Sequence, residues 1–78
     1  MDEKQLTIKQ IQEVFHWSYP TALRFASIHG KSVVIKETNS KKWFIPVSAV
    51  NAKIKIYDDK AQFLRDNLAA VLENGANS

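Results

Sequence analysis

A chain of 78 residues with 45% hydrophobic and 10% aromatic residues has room for one small core and is too apolar to remain disordered. At this size it buries only about 60–65% of its unfolded surface, which predicts modest stability. The absence of cysteine excludes disulfides and thiol chemistry, and the formal charge of +3 is modest but unevenly spread.

Residues 1–5 are charged and polar with no apolar stretch behind them. They read as a frayed lead-in rather than a signal peptide, and no later apolar run is long enough for a transmembrane segment. A cytoplasmic location is the expectation.

From Leu6 to Gly30 the chain reads as two short helices joined by a tight turn. Thr7 has Gln10 three residues on, the spacing of a capping box. Ile8, Ile11, Val14 and Phe15 follow on one apolar face, so the first helix is expected over 8–15. His16 and Trp17 end it, and Ser18 is placed to cap the next helix. That second helix is expected over 19–29, with Pro20 in its first turn, where the missing N–H has no intrahelical partner anyway. Gly30 stands just past its end, where a positive φ is common.

The second helix has two unlike faces. Ala22, Phe25, Ala26 and His29 fall on one side, and Pro20, Thr21, Arg24 and Ser27 on the other. The outward side is small and polar with one long cation, a face that can approach a nucleic-acid groove closely. This is the pattern of a helix-turn-helix, in which the first helix supports and the second reads. An ordinary αα-hairpin in a small domain has the same periodicity.

Beyond Gly30 the period changes. Residues 32–37 are β-branched and read as a strand, 38–41 as a polar turn, and 42–45 as a second strand, giving a β-hairpin tipped by Asn39 and Ser40. Trp43 and Phe44 suit either a core role under the hairpin or a base-stacking platform, and burial favours the core. Pro46 ends the second strand. A short helix is expected over 47–53, with Val50 and Ile54 as an apolar pair. The stretch 53–57 also alternates at period two and fits either a helix end or a short strand. Asp58 and Asp59 suit the positive end of a further helix reaching Asn74. Its stripe is Ala61, Leu64, Leu68, Val71 and Leu72, with Gly75 as its cap and a disordered tail over 76–78.

No catalytic chemistry is legible. His16 and His29 lack partners at metal-ligand spacing, and two glycines cannot build a phosphate-cradling loop. The serines lack a nucleophile-elbow context, and helix-start electrostatics explains Asp58 and Asp59 better than acid–base work. A non-enzyme without metal or cofactor is expected. Residues 1–57 hold nine Lys and Arg against four acids, a net +5, whereas 58–78 hold two against four, a net −2. A basic lobe followed by an acidic helix suits a module that meets phosphate with one part only. The expected division is a first unit over 1–57 and a C-terminal amphipathic helix with its tail over 58–78.

Three segments, LTIKQIQEVF, WSYPTALRFASIHGK and KWFIPVSAV, resemble the excisionase/MerR-like winged-helix family. The matching positions are Leu6-Thr7, Gln10-Ile11, Trp17-Ser18, Thr21, Arg24, Ile45-Pro46 and Ser48-Ala49-Val50. The resemblance implies a mostly α fold with a β-hairpin, a winged helix-turn-helix followed by an additional C-terminal helix. It implies double-stranded DNA as partner, with the second helix in the major groove and the hairpin on the backbone or adjacent minor groove. By position, Ser18, Tyr19, Thr21, Arg24 and Ser27 would face DNA from the helix, and Asn39, Ser40, Lys41 and Lys42 from the wing. Thr7, Lys9 and Lys31, at helix ends, are the candidate phosphate contacts. The expected function is an excisionase-like architectural factor or transcriptional regulator of a phage or mobile element. The competing expectation is a protein–protein module on the same scaffold, with a recombinase, polymerase or repressor as partner. Phe63, with Leu64, Leu68 and Val71, is the candidate surface for self-association, as a homodimer or a cooperative multimer on DNA, or for such a partner. The alternative for Phe63 is simple packing against Tyr57.

Overall fold

Thr7 starts the first helix as its spacing predicts. In the computed structural model, which describes residues 4–76, its side-chain oxygen accepts from the Gln10 N–H at 3.3 Å. The Gln10 side-chain oxygen in turn accepts from the Thr7 N–H at 2.9 Å. Both arms of the capping box are therefore present at the start of α1 (Ile8–Phe15). His16 ends α1 in the left-handed region, with φ 57°, and turns the chain toward α2 (Tyr19–His29). Ser18 precedes α2 without making a side-chain cap to its backbone.

Gly30 does not take the positive φ that its place after a helix suggests. Its φ is −110° and its ψ −173°, extended backbone open to any residue. What needs glycine here is space. A Cβ would stand 2.6 Å from the Phe44 carbonyl oxygen and 2.9 Å from that of Ala26. The chain passes directly from α2 into β2 (Lys31–Ile35), turns through residues 36–39, and returns as β3 (Ser40–Pro46). Asn39 adopts φ 53° at the tip, a conformation Asn tolerates better than most residues. The strands begin and end differently from the sequence reading. Lys31 belongs to the first arm, Ser40 and Lys41 to the second, and Lys36 and Glu37 to the turn.

A third strand, β1 (Gln5–Leu6), completes an antiparallel sheet in the order β1-β3-β2, with Leu6 opposite Ile45 and Gln5 opposite Pro46. Pro46 thus closes β3 inside a sheet, at the end where its missing N–H matters least. The Val47 N–H donates to the Lys4 carbonyl oxygen at 3.1 Å, and α3 (Val47–Ile56) follows at once. The ambiguous stretch after Lys53 is helical, because Ile54 is drawn into the core beside Val50. Asp58 and Asp59 do not begin the last helix. They lie in a turn, and α4 (Ala61–Ala76) starts after them with no acid in its first turn. Gly75 lies inside α4 rather than past its end. Of the expected tail, 77–78 fall outside the described residues, as do 1–3 of the lead-in.

The molecule is a small mixed α/β domain of four helices and a three-stranded antiparallel sheet among its described residues. One core joins all of its parts. Leu6 from β1, Ile11 and Val14 from α1, Ala22 and Ala26 from α2, and Ile45 from β3 are fully buried. Val50 and Ile54 add α3, and Leu64, Leu68 and Val71 bring α4 into the same cluster. The Asn67 side-chain amide also donates to the Val14 carbonyl oxygen at 2.9 Å, tying α4 to the last turn of α1. The C-terminal helix therefore completes the core of the preceding elements instead of standing apart from them.

Candidate nucleic-acid interface

The position of α2 is set by small residues and rings. Ala22 and Ala26 let it lie close against its neighbours. The Phe15 and Trp17 rings stack at 4.3 Å and 13°, and Trp17 meets Phe25 edge-on at 5.6 Å. Tyr57, at the end of α3, joins this cluster 6.4 Å from Phe15. Face-to-edge and offset ring contacts of this kind fix orientation as well as bury area. The opposite side of α2 is thereby turned outward.

On that outward side Tyr19, Thr21, Arg24 and Ser27 are all exposed, together with Ser18 just before the helix. Their hydroxyls are partly committed to local partners. Ser18 and Thr21 share a hydrogen bond at 3.2 Å, and the Ser27 hydroxyl donates to the Arg24 carbonyl oxygen at 2.8 Å. The Arg24 guanidinium has no carboxylate partner among the described residues. Ile28, absent from the sequence-based set, is 67% exposed beside them. His29 stacks obliquely on Phe25 at 4.7 Å but stays exposed, so the inward face is narrower than its helical wheel implies.

The hairpin does not present its two lysines as one patch. Strand alternation puts Lys41 and Lys42 on opposite faces. Lys42 stands opposite Val33 and shares its face with Phe44 and Lys31, which pair directly. Lys41 lies on the other face with Trp43. Each ammonium rests over a ring, Lys41 at 5.9 Å from Trp43 and Lys42 at 5.7 Å from Phe44. Trp43 and Phe44 are both half-buried, and Trp43 packs on the core. At the tip, the Ser40 and Thr38 hydroxyls are 2.7 Å apart and Asn39 is exposed.

The remaining expected contacts are scattered. Thr7 has its hydroxyl oxygen engaged in the capping box. Lys9 is exposed on α1 and borders a depression with Glu13 and His16. Lys31 is exposed at the root of the hairpin.

On α4, Leu64, Leu68 and Val71 are buried in the chain's own core and are not free to meet a partner. A heptad-like stripe looks the same from sequence whether its neighbour is this chain or another. Phe63 alone of the four faces out, 57% exposed. Its ring neighbour is His16, stacked at 6.0 Å and 23°, rather than Tyr57.

One functional candidate has no counterpart in the sequence reading. Lys53 on α3 is half-buried, with its ammonium 5.9 Å from the Trp17 ring and 5.7 Å from the Tyr57 ring. The Lys53–Tyr57 spacing of four residues was the available signal. Among the described residues no group of three or more His, Asp or Glu could hold a metal ion, and no helix is long and apolar enough to cross a membrane.

The site is thus the exposed face of a short helix, flanked by a basic hairpin, on a small mixed α/β domain. Comparison of the chain with protein-family models, with curated proteins and with solved structures finds no match in any of the three.

Proposed function

We propose that this chain is a winged helix-turn-helix protein that binds double-stranded DNA with sequence preference. In this reading α2 enters the major groove and the hairpin acts as the wing. The observation that carries it is the outward face of α2: small hydroxyl residues around Arg24, which has no carboxylate partner among the described residues. Charge supports it. Between Tyr19 and Pro46 stand Arg24, Lys31, Lys36, Lys41 and Lys42, with Glu37 as the sole acid. Affinity then comes mostly from phosphate contacts, and base reading from Arg24 with Tyr19 beside it. An excisionase-like architectural factor or regulator of a phage or mobile element fits this economy of base-reading groups.

A second reading is a protein–protein module on the same scaffold, and exposed Phe63 favours it. Gel shifts of a mixed-sequence duplex pool across a salt series separate the two. DNA binding predicts retention at low salt and a steep linear fall of log affinity with log salt. No retention at low salt would leave the protein module as the better account. Selection of bound sequences from a random pool then tests the sequence preference.

A further inference from the structure

Between α2 and α3 lies a shallow groove of about 260 Å³. Thr21, Arg24 and His29 line it from α2, Lys53 and Tyr57 from α3 and its end, and Trp17 from the turn before α2. No acid lines it. The Lys53 ammonium lies 5.9 Å from the Trp17 ring and 5.7 Å from the Tyr57 ring. Neither Lys53 nor Arg24 has a carboxylate partner among the described residues. A cation held over two rings is ordered before any ligand arrives, so less side-chain entropy is lost on binding. The groove falls short of the roughly 300–1,000 Å³ of pockets that enclose small molecules. It fits one anionic group projecting from something larger.

We propose that this groove holds one phosphate ester between Lys53 and Arg24, and that the backbone of bound DNA supplies it. The inference rests on the DNA-binding reading and adds α3 as a third contacting element beside α2 and the hairpin. Arg24 then has two roles open to it across one helix face, and Lys53 carries the contact that does not depend on sequence.

The test compares the full chain with Lys53→Met, which keeps an unbranched stem on the rings without the charge, and with Lys53→Arg, which keeps the charge. Lys53→Gln replaces the Met variant if that one melts early. Each is titrated with a mixed-sequence duplex at several salt concentrations, and separately with adenosine monophosphate, read by tryptophan fluorescence. The neutral variant is expected to lose affinity on all sequences alike. Across a fourfold salt range its affinity should fall less than that of the unsubstituted chain by a factor of about 3.5, the value for one lost contact at a slope of 0.9. Lys53→Arg should keep the original slope. If the unsubstituted chain binds duplex and the neutral variant shows the same slope, the phosphate seat is wrong and the DNA reading stands. If the unsubstituted chain does not bind duplex but the nucleotide quenches its fluorescence, and does not quench the neutral variant, the seat stands with a free nucleotide as its source. If neither ligand binds, both ideas fall.

Discussion

Gly30→Ala tests the joint between α2 and the hairpin. An added Cβ would lie 2.6 Å from the Phe44 carbonyl oxygen, 2.9 Å from that of Ala26 and 3.0 Å from Ile45 Cγ1. Two of these atoms are backbone and cannot rotate away. The Gly30 N–H also donates to the Ala26 oxygen at 2.7 Å, which pins the glycine against the end of α2. Because its φ of −110° suits any residue, backbone strain does not enter, and crowding opposes only the gain of about 0.4–1 kcal/mol from a stiffer unfolded chain. Overpacking costs about 1–3 kcal/mol in well-packed sites, and with backbone on two sides the upper part of that range applies. For a domain of this size that is a fall in Tm on the order of 10–20 °C. Thermal melts followed by far-UV circular dichroism read it, with a urea series to check that the transition stays cooperative. A Gly30→Ala chain that melts within about 2 °C of the unsubstituted one would show that β3 moves off cheaply, and the close approach would not be what selects glycine here.

Thr7→Ala removes the hydroxyl that caps α1 and should lower stability by about 1 kcal/mol in urea melts; an unchanged midpoint would mean that the box does not matter to the fold. Leu68→Ala should cost about 2–4 kcal/mol, since the side chain is buried between α4 and its neighbours. Phe63→Ala should cost under about 1 kcal/mol, because the ring is more than half exposed; equal losses in the two variants would place Phe63 in the core. Arg24→Ala should cost about 1–3 kcal/mol on a selected DNA site and relax preference at one position; an equal loss on scrambled DNA would make Arg24 a phosphate contact only.

The local parts of this fold are legible where one residue has one job. The Thr7–Gln10 spacing marks the start of α1, and the limits of α2 follow from Pro20 and Gly30. Legibility ends where tertiary contact decides. Gly30 reads as a helix cap, but the strand passing over it is invisible in the sequence. Asp58 and Asp59 satisfy helix-start electrostatics, yet the turn after Tyr57 claims them first, with the Lys60 N–H donating to the Tyr57 oxygen at 3.1 Å. The period-two run after Lys53 is helical because burying Ile54 outweighs its alternation. In the candidate interface, the basic residues of the hairpin are plain in the sequence, but their separation onto two faces depends on the register of β2 against β3. The Lys53 contact needs α3 beside Trp17, a neighbour 36 positions away along the chain.

The brief pairing of β1 with β3 makes the hairpin a cantilever. At Ile45 and Pro46, β3 has β1 along one side, and the glycine joint to α2 lies just before them. From Ser40 to Trp43 it is paired only with β2, whose five residues are all exposed. The clamp is at the root. Residues 36–39 stand farthest from the strand pairing that ties the ribbon to the rest of the domain. A strand only two residues long thus decides which end of the ribbon is tied to the rest of the domain.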